Sequence, residues 1–380
     1  MKKISETNIN ILDGDRGKNY PSPNELYKTG FCLFLSNKNI VGNRLNLEDC
    51  AYITEERHNL LRQGTLTYND IVLTTRGTVG NLLFVDSTFP LPSRINSGMV
   101  ILRSDQSEYL QKYLFYYLQS SYVREQIDEL QTGSAQPQLP IKDINQLKIE
   151  LISIAKQQHI VDILGTLDDK IENNSKKAEE YEKMIELYFE QLLSEKTNEW
   201  NEQSLLDIAE YTNGLAMQKF RPRGIDYLPV VKIKELSQGR TDSNSEQADV
   251  AIGNKFIIDD GDIVFAWSGT LMVKIWCGGK AGLNQHLFKV TSEKHPKWFV
   301  YLWTKHHLIK FQNIAKGKAV TMGHIKRDDL AKSSAFIPPS NTFAQYDRII
   351  APIYERIVIL QQENRKLMSL KSRYLQRFFG

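Results

Sequence analysis

The apolar and polar positions between Leu164 and Leu192 alternate with a helical period. Apolar residues recur there at steps of three and four, and Lys, Glu and Gln fill the other faces. The stripe consists of Leu164, Leu167, Ile171, Asn174, Ala178, Tyr181, Ile185, Tyr188 and Leu192. So narrow a stripe predicts a helix that packs along one helix–helix seam, roughly 42 Å long at 1.5 Å per residue.

The same pattern returns 186 residues later in the chain. Its positions are Ile350, Ile353, Ile357, Leu360, Asn364, Leu367, Lys371, Tyr374 and Phe378. Neither stripe is wide enough to build a core alone, so the two helices are predicted to pack on each other. We expect the breaks at Asn174 and Asn364 to fix the register of the pair at some cost in stability. In a symmetric pairing Asn364 would lie opposite Ala178; the alternative is that each Asn points to the edge of the seam.

Outside these helices, short strands, turns and aromatic helices come in the same order twice, which predicts a duplicated domain. The corresponding segments are Asn69–Thr78 with Gly261–Thr270, Ile95–Val100 with Leu283–Phe288, Tyr109–Leu114 with Trp298–Trp303, Thr132–Ser134 with Lys316–Lys318, and Ile141–Lys142 with Ile325–Lys326. In the first half, strands are predicted at 31–35, after 70, at 95–102 and at 149–152, and one helix near 108–130. The aromatic stretches 109–118 and 298–303 are expected in the core.

The order therefore predicts a globular domain (1–155), a long helix (156–195), a second domain (196–341) and a second long helix (342–380). Since the first helix leads away from the first domain and the second must return, the helices are predicted to be antiparallel, with a pseudo-two-fold axis across their middle. The domains would then lie at opposite ends, roughly 40 Å apart. One turn of B-DNA spans about 34–36 Å, so two such domains could read two different patches of one duplex.

Composition limits the class of protein. With 41% hydrophobic and 24% charged residues, the chain of 380 residues is globular, and its net charge of +3 means that a nucleic-acid partner must be met by local patches. The cysteines Cys32, Cys50 and Cys277 are scattered and give neither a disulfide framework nor a metal pair. Without a signal-like N-terminus or an apolar run of 18 residues, a soluble cytoplasmic protein is expected.

Several stretches together resemble a known family. They are Asp70–Asn81 and Gln157–Leu164 in the first half, and Thr212–Leu215, Leu228–Ile233 and Gly261–Val264 in the second. Over essentially the whole chain, their duplicated order resembles the specificity (S) subunit of type I restriction–modification systems. The chain departs from the family pattern where Gln345–Arg348 and Pro352 replace the usual glutamate–glutamine run at the second long helix.

The resemblance implies an α+β fold in which two similar target recognition domains are separated by two long antiparallel helices that form a coiled coil. Each domain would read one half of a bipartite, asymmetric site in double-stranded DNA, with the helices as a spacer of fixed length. The implied partners are two methyltransferase (M) subunits and, in the full complex, restriction (R) subunits. AdoMet, ATP and Mg would be cofactors of those partners, and none is expected on this chain.

Candidate DNA-binding residues lie in polar loops beside the predicted strands. In the first half they are Thr75, Arg76, Thr78, Asn81, Arg94, Asn96, Ser134, Gln136, Gln138 and Lys142. In the second half they are Ser268, Lys274, Asn284, Gln285, His286, Lys316, Lys318, Thr321, His324 and Lys326. Arg, Gln and Asn side chains can hydrogen-bond to base edges, and the acid-free stretch 305–327 suits phosphate contacts.

Plainer interpretations stand beside these. The basic stretch could be a solvated face, and the polar loop residues could be ordinary loop polarity. Arg76 could instead pair with a carboxylate such as Asp70, and Trp267 is expected in the core rather than facing a groove.

Motifs for catalysis are not recognisable in the sequence: Gly279–Ala281 is not a phosphate loop, no His/Cys cluster has zinc spacing, and no AdoMet or base-methylation motif is found. A non-catalytic DNA-recognition subunit is therefore favoured. The alternatives are a stand-alone DNA nuclease or methyltransferase with an unrecognised site, and a coiled-coil protein adaptor.

Overall fold

Strands of the first half, as the computed structural model has them, are mostly short. The structure describes residues 1–47, 49–133, 136–317 and 323–380. The first-half strands are β1 (Lys2–Lys3), β2 (Ile9–Asp13), β3 (Cys32–Leu35), β4 (Ile40–Val41), β5 (Arg44–Leu45), β6 (Ala51–Ile53), β7 (Ile71–Thr74), β8 (Leu82–Phe84), β9 (Ser93–Ile95), β10 (Met99–Ser104) and β11 (Lys148–Ile149). The helices are α1 (Glu55–Leu60), α2 (Gln111–Tyr117), α3 (Ser121–Leu130), α4 (Ile141–Ile144) and the long α5 (Ile154–Ser194).

The second half has a matching set of elements. Its strands are β12 (Asn201–Ser204), β13 (Glu210–Asn213), β14 (Leu228–Val231), β15 (Gln247–Ala248), β16 (Ile257–Ile258), β17 (Asp262–Ala266), β18 (Met272–Trp276), β19 (Ala281–Leu283), β20 (Leu287–Thr291) and β21 (Ser334–Ile337). Its helices are α6 (Leu205–Ile208), α7 (Ile233–Gln238), α8 (Lys297–His306), α9 (Leu308–Gly317), α10 (Arg327–Ala331) and the long α11 (Ser340–Phe379).

Sheet topology confirms the duplication. An antiparallel sheet of order β2-β10-β7-β8 in the first half has the order β13-β20-β17-β18 in the second. Beside it, β3 pairs antiparallel with β6 and parallel with β9, and β14 pairs in the same way with β15 and β19. The pairs β1–β11 and β12–β21 join the two ends of each domain. The predicted α+β fold with two similar domains is therefore confirmed.

Burial on both faces explains why the central strands are continuous apolar runs. Ile71 and Leu73 of β7 pack with the aromatic helices α2 and α3, whereas Val72 between them packs with β3. Strand β17 alternates in the same way: Ile263 contributes to the helix side and Val264 to the second sheet. A strand covered on both sides needs apolar residues at every position.

The chain divides into two units, Met1–Asp168 with Ser369–Gly380, and Asp169–Met368. Within the second unit, Asn174 Nδ2 donates to Glu363 Oε2 at 2.9 Å, and Tyr346 Oη donates to Glu195 Oε1 just beyond α5 at 2.6 Å. Partner numbers fall along α11 as they rise along α5, so the helices are antiparallel there.

Within the first unit the same direction is kept. Lys371 Nζ contacts both carboxylate oxygens of Asp168 at 2.7 and 2.9 Å, and Phe379 packs edge-on against Tyr113 and Tyr117 near the start of α5. The predicted antiparallel helix pair is confirmed in both units. The placing of the domains at opposite ends stays a prediction.

Both seam asparagines are buried, with 1% of Asn174 and 8% of Asn364 exposed, so neither points to the edge. Asn364 Nδ2 donates to Ile171 O at 3.1 Å and to Ser175 Oγ at 3.0 Å. The expected position opposite Ala178 is therefore wrong by about one turn.

Several element bounds differ from prediction. The helix expected near 108–130 is two helices, because Ser120 caps α3 by accepting a hydrogen bond from Val123 N at 3.3 Å. The strand expected at 95–102 is interrupted by a loop at 96–98 between β9 and β10, and the closing strand is only Lys148–Ile149. Helix α11 continues through Pro352. None of the described helices is long and apolar enough to span a membrane.

Candidate nucleic-acid interface

Three loops of the first domain meet at one end of its central sheet. They are the loop after β7, the loop between β9 and β10, and the loop between α3 and α4. Thr75 N donates to Gly98 O at 2.8 Å, and Leu139 N donates back to Thr75 O at 2.9 Å. Arg76 and Gln138 form an isolated β-bridge. We call the residues 75–77, 96–98 and 136–139 the first edge.

The second domain builds the same arrangement. Trp267 N donates to His286 O at 3.3 Å, and Ile325 N donates to Trp267 O at 3.1 Å. Ser268 and His324 form the isolated β-bridge. We call the residues 267–269, 284–286 and 323–325 the second edge.

The matching main-chain bonds define which residues are equivalent. Thr75 corresponds to Trp267, Arg76 to Ser268, Gly98 to His286, and Gln138 to His324. This confirms the predicted correspondence of 69–78 with 261–270 and of 95–100 with 283–288.

The expected match of Ile325 with Ile141 is wrong. Ile325 corresponds to Leu139, because both amides donate to the residue that follows the central strand.

A close main-chain approach holds a fourth loop against each edge. A Cβ on Gly14 would lie 2.2 Å from Asn96 O, and a Cβ on Gly214 would lie 2.2 Å from Asn284 O. Only glycine fits at such contacts. The loops that leave β2 and β13 therefore reach the two edges as well.

Charge characterises the first edge. Arg76 is half-buried and Gln136 is exposed. Arg16, which was not among the predicted residues, places Nη2 at 3.0 Å from Asp13 Oδ1 and at 3.2 Å from Ser97 O. Its signal was the turn-rich Asp13–Gly17 stretch directly after a strand. Two guanidinium groups and two glutamine amides can thus donate to an acceptor from this edge.

Aromatic rings and imidazoles characterise the second edge. The Trp267 ring stacks on Phe288 with centroids 5.7 Å apart, and His286 and His324 lie 6.0 and 6.2 Å from it. Ser268 Oγ and His286 Nδ1 are 2.9 Å apart. Trp267 Nε1 donates to Asn213 Oδ1 at 3.0 Å. The half-buried ring packs against the core, as expected, and also borders the second edge.

The structure brings many of the predicted residues to the two edges. At the first edge these are Thr75, Arg76, Asn96, Gln136 and Gln138, and at the second Ser268, Asn284, Gln285, His286 and His324. The buried ones, Thr75, Ser268 and Asn284, are at most 5% exposed and hold the loops. Asn284 Oδ1 accepts from His286 N at 3.2 Å, as Asn96 Oδ1 does from Gly98 N at 2.9 Å.

Other predicted residues lie away from the bonded edge loops. Thr78 is exposed, and Asn81 Nδ2 donates to Ile40 O at 3.2 Å. Exposed lysines on nearby elements are Lys142 in α4, Lys274 in β18, Lys316 in α9 and Lys326 before α10. Ser134, Lys318 and Thr321 lie outside the described residues.

Arg94 is not a surface residue, contrary to the prediction. It is 5% exposed, and its guanidinium donates to three carbonyl oxygens, of His58, Leu61 and Gln63, at 2.7–3.0 Å. Burial lowers the pKa of Arg94. Its role is to satisfy the carbonyl groups at the C-terminal end of α1.

The alternative pairing of Arg76 with Asp70 is also wrong. Arg103 holds both Asp70 oxygens at 2.7 Å in a bidentate ion pair. This leaves the Arg76 side chain at the edge without that carboxylate. Among the described residues, no group of three or more His, Cys, Asp and Glu side chains could hold a metal ion.

Comparisons with known proteins agree on one family. The family described as "Type I restriction modification DNA specificity domain" matches residues 10–183 and 197–369. The type I restriction enzyme MjaIX specificity subunit of Methanocaldococcus jannaschii is 23% identical over 345 residues, covering 82% of this chain and 77% of the relative. The MjaVIII specificity subunit of the same organism is 26% identical over 194 residues, covering 49% and 44%.

A solved structure shares the fold. It is the S subunit of a type I restriction–modification system from M. genitalium, with a TM-score of 0.57 and 14% identity. The match covers 100% of this chain and 95% of that one.

Proposed function

The chain belongs to the type I restriction–modification DNA specificity family and is a DNA-recognition subunit rather than a catalytic one, and we propose that it reads a bipartite, asymmetric site. Each domain would contact one half of that site through its edge. The two long helices would set the distance between the halves.

One observation carries this proposal: the two edges have the same main-chain bonding but unlike side chains. At the two equivalent bridge positions, Arg76 and Gln138 stand where the second domain has Ser268 and His324. Sequence is read by side-chain contacts to base edges, whereas phosphate contacts only position the protein. The same main-chain bonding with different side chains therefore favours two half-sites of different sequence.

The chemistry of each edge limits what it would read. Arg76 can donate two hydrogen bonds to guanine O6 and N7, and Gln138 can pair with adenine N6 and N7. At the second edge the half-buried His286, held by the buried Ser268 hydroxyl, offers a smaller polar surface next to the Trp267 ring. Around the second edge, Lys316 and Lys326 would contact phosphates, which contributes affinity and salt dependence.

Partners follow from the same membership. We propose that two methyltransferase subunits dock on this chain, and that restriction subunits join through them in the full complex. AdoMet, ATP and Mg would be bound by those subunits, and the complex would act on cytoplasmic DNA.

Methylome sequencing tests the half-site assignment directly. A host that carries this chain and its methyltransferase subunit should show one split motif. Arg76→Ala with Gln138→Ala should change or relax only one half, and Ser268→Ala with His324→Ala only the other. Both bridges use main-chain groups and should persist in the variants, and Ser268→Ala also removes the hydrogen bond to His286 Nδ1.

Any of four results would contradict the proposal. A contiguous motif, or a change of both halves by one pair of substitutions, would refute one half-site per edge. Purified alone with AdoMet, ATP, Mg and plasmid, the chain should show no turnover; turnover would instead support a stand-alone enzyme. A split motif with unchanged half-sites in both variants would refute the edges as the reading surface.

A further inference from the structure

The segment Lys219–Tyr227 of the second domain, which we call the basic loop, projects into solvent. Every residue of it is exposed except the half-buried Pro222. Ile225 is 94% exposed, and a Cβ built on Gly224 would meet no atom within 4 Å. A large aliphatic side chain thus stands at the tip of a loop and is almost fully exposed among the residues that the structure describes.

The base of the basic loop is well fixed. Phe220 N donates to Met217 O at 2.9 Å, and Phe220 O accepts from Asp249 N at 2.8 Å. Met217 is fully buried in the small core under β14 and β15, and Leu228 pairs with Ala248 where the loop ends. The tip therefore projects from an ordered base.

Charge complementarity identifies the occupant. The basic loop contains Lys219, Arg221 and Arg223 against one acid, Asp226. The Arg223 side chain is 93% exposed, and its contact with Asp249 is long at 3.8 Å. Surface pairs of this kind are weak, so the guanidinium remains available to a polyanion. Proteins that bind the minor groove combine basic side chains, which contact the DNA, with an apolar side chain that inserts between two base pairs. The basic loop has both kinds of side chain.

The chain path keeps the basic loop near the second edge. Asn213, at the end of β13, is bonded to Trp267, and Gln285 N donates to Leu215 O at 2.8 Å. Lys219 follows Leu215 by four residues and so lies at most about 14 Å from it; Arg223 lies at most about 29 Å from it. Both limits are shorter than one turn of B-DNA, about 34–36 Å, so one duplex can contact the edge and the loop together.

We propose that the basic loop is a second DNA contact of the second domain, in which Arg221 and Arg223 bind phosphates and Ile225 enters the minor groove as a wedge beside the half-site. The proposal rests on the proposed DNA-reading function. It adds a contact that contributes affinity and local DNA distortion and leaves the choice of half-site to the edge.

The salt dependence of binding tests the arginines. The complex with its methyltransferase subunits is titrated with cognate duplex at several salt concentrations. Arg221→Ser with Arg223→Ser should lower the slope of log K against log salt by about 2 and weaken binding roughly eight-fold per lost contact at 0.1 M salt. The methylated motif should not change. Lys294→Ser, an exposed cation beyond the far end of β20, is the matched control and should leave the slope unaltered.

A fluorescent base tests the wedge. With 2-aminopurine placed in turn at the steps flanking the second half-site, the wild-type complex should unstack the base at one of them and raise its fluorescence. Ile225→Ser keeps all charges and should abolish that rise without changing the salt slope.

The outcomes distinguish failure of the basic loop as a DNA contact from failure of the proposed DNA-reading function. An unchanged slope in the double arginine variant, or no unstacking by the wild-type complex, overturns the basic loop as a DNA contact. Loss of the methyltransferase subunits from the double variant would overturn it in favour of a protein-docking loop. If the wild-type complex binds no split site at all, the DNA-reading function fails, and that is seen before any loop variant is compared.

Discussion

Replacing both seam asparagines, Asn174→Leu with Asn364→Leu, should stabilise the second unit. Asn364 Nδ2 has two partners, but its Oδ1 is buried without a hydrogen bond. A buried acceptor without a partner costs about 1–3 kcal/mol. Asn364 Oδ1 therefore lowers the free energy of unfolding, as is expected where a polar residue in the seam fixes the register of the helices.

The magnitude follows from the contacts. Three donated hydrogen bonds are lost, at about 1 kcal/mol each. No new buried group is orphaned, because Ser175 Oγ already donates to Ile171 O at 2.9 Å, and Glu363 keeps its ion pair with Lys170 at 3.3 Å. Two buried leucines contribute about 1.5–3 kcal/mol each, and the unpaired Oδ1 disappears. The sum of these changes is an increase of about 3 kcal/mol in the free energy of unfolding.

Thermal denaturation measures this gain. For a unit of this size, a gain of about 3 kcal/mol should raise the midpoint by roughly 6–12 °C. Ser175→Ala, which removes only one partner of Asn364, is the control and should lower it slightly. In the methylome, the leucine variant should lose the single fixed spacing between half-sites. A midpoint that falls sharply in the double leucine variant would refute the register argument.

Three further changes have predictable outcomes. Arg94→Ala should destabilise the first domain by about 3 kcal/mol in chemical denaturation, because buried carbonyl groups lose their donors, and it should leave the methylated motif unchanged. Arg365→Lys should lower the thermal midpoint of the second unit, since it removes the bidentate pair with Asp260, worth about 1–2 kcal/mol; exposed Arg373→Lys is its control. Burial holds the pKa of His307 below the ordinary value of 6.5. Because the unfolded chain then binds a proton that the folded one does not, stability should fall as pH falls from 7 to 5, and less so in His307→Gln.

The duplicated layout was predictable because it rests on local patterns. Strands covered on both faces must be apolar at each position, and a seam shared by two helices must repeat at steps of three and four. Both patterns are visible in one sequence. All four residues of β7 are buried, and eight of the eighteen stripe positions are at most 2% exposed, among them Ile185 and Ile350.

Long-range pairing was not predictable in the same way. Arg103 reaches Asp70 only because β10 lies beside β7 with Leu102 opposite Ile71. Arg94 is buried because β9 pairs with β3 and places this side chain against the end of α1. A charged residue next to prolines resembles a loop residue until the strand order is known.

Sequence spacing also fails to identify equivalent residues of the two domains where their loops differ in length. The match of Ile325 with Leu139 follows from two equivalent hydrogen bonds and contradicts the spacing of residues, which suggested Ile141. Hydrogen-bond register, rather than sequence distance, therefore decides which residues of the two domains are equivalent.

That register separates positions where a side chain, or its absence, makes the contact common to both edges from positions where main-chain atoms make it. Where a side chain, or its absence, holds the edge together, the two domains have the same residue: Asn96 and Asn284, Gly14 and Gly214, Gly77 and Gly269. Where the bonds common to both domains join main-chain atoms, the residues differ: Arg76 and Ser268, Gln138 and His324, Gly98 and His286. These main-chain bonds form in both domains although the side chains at the same positions differ. Because the main-chain bonds do not depend on the residue type, we propose that these are the positions at which the reading of DNA changes while the edge keeps its main-chain structure.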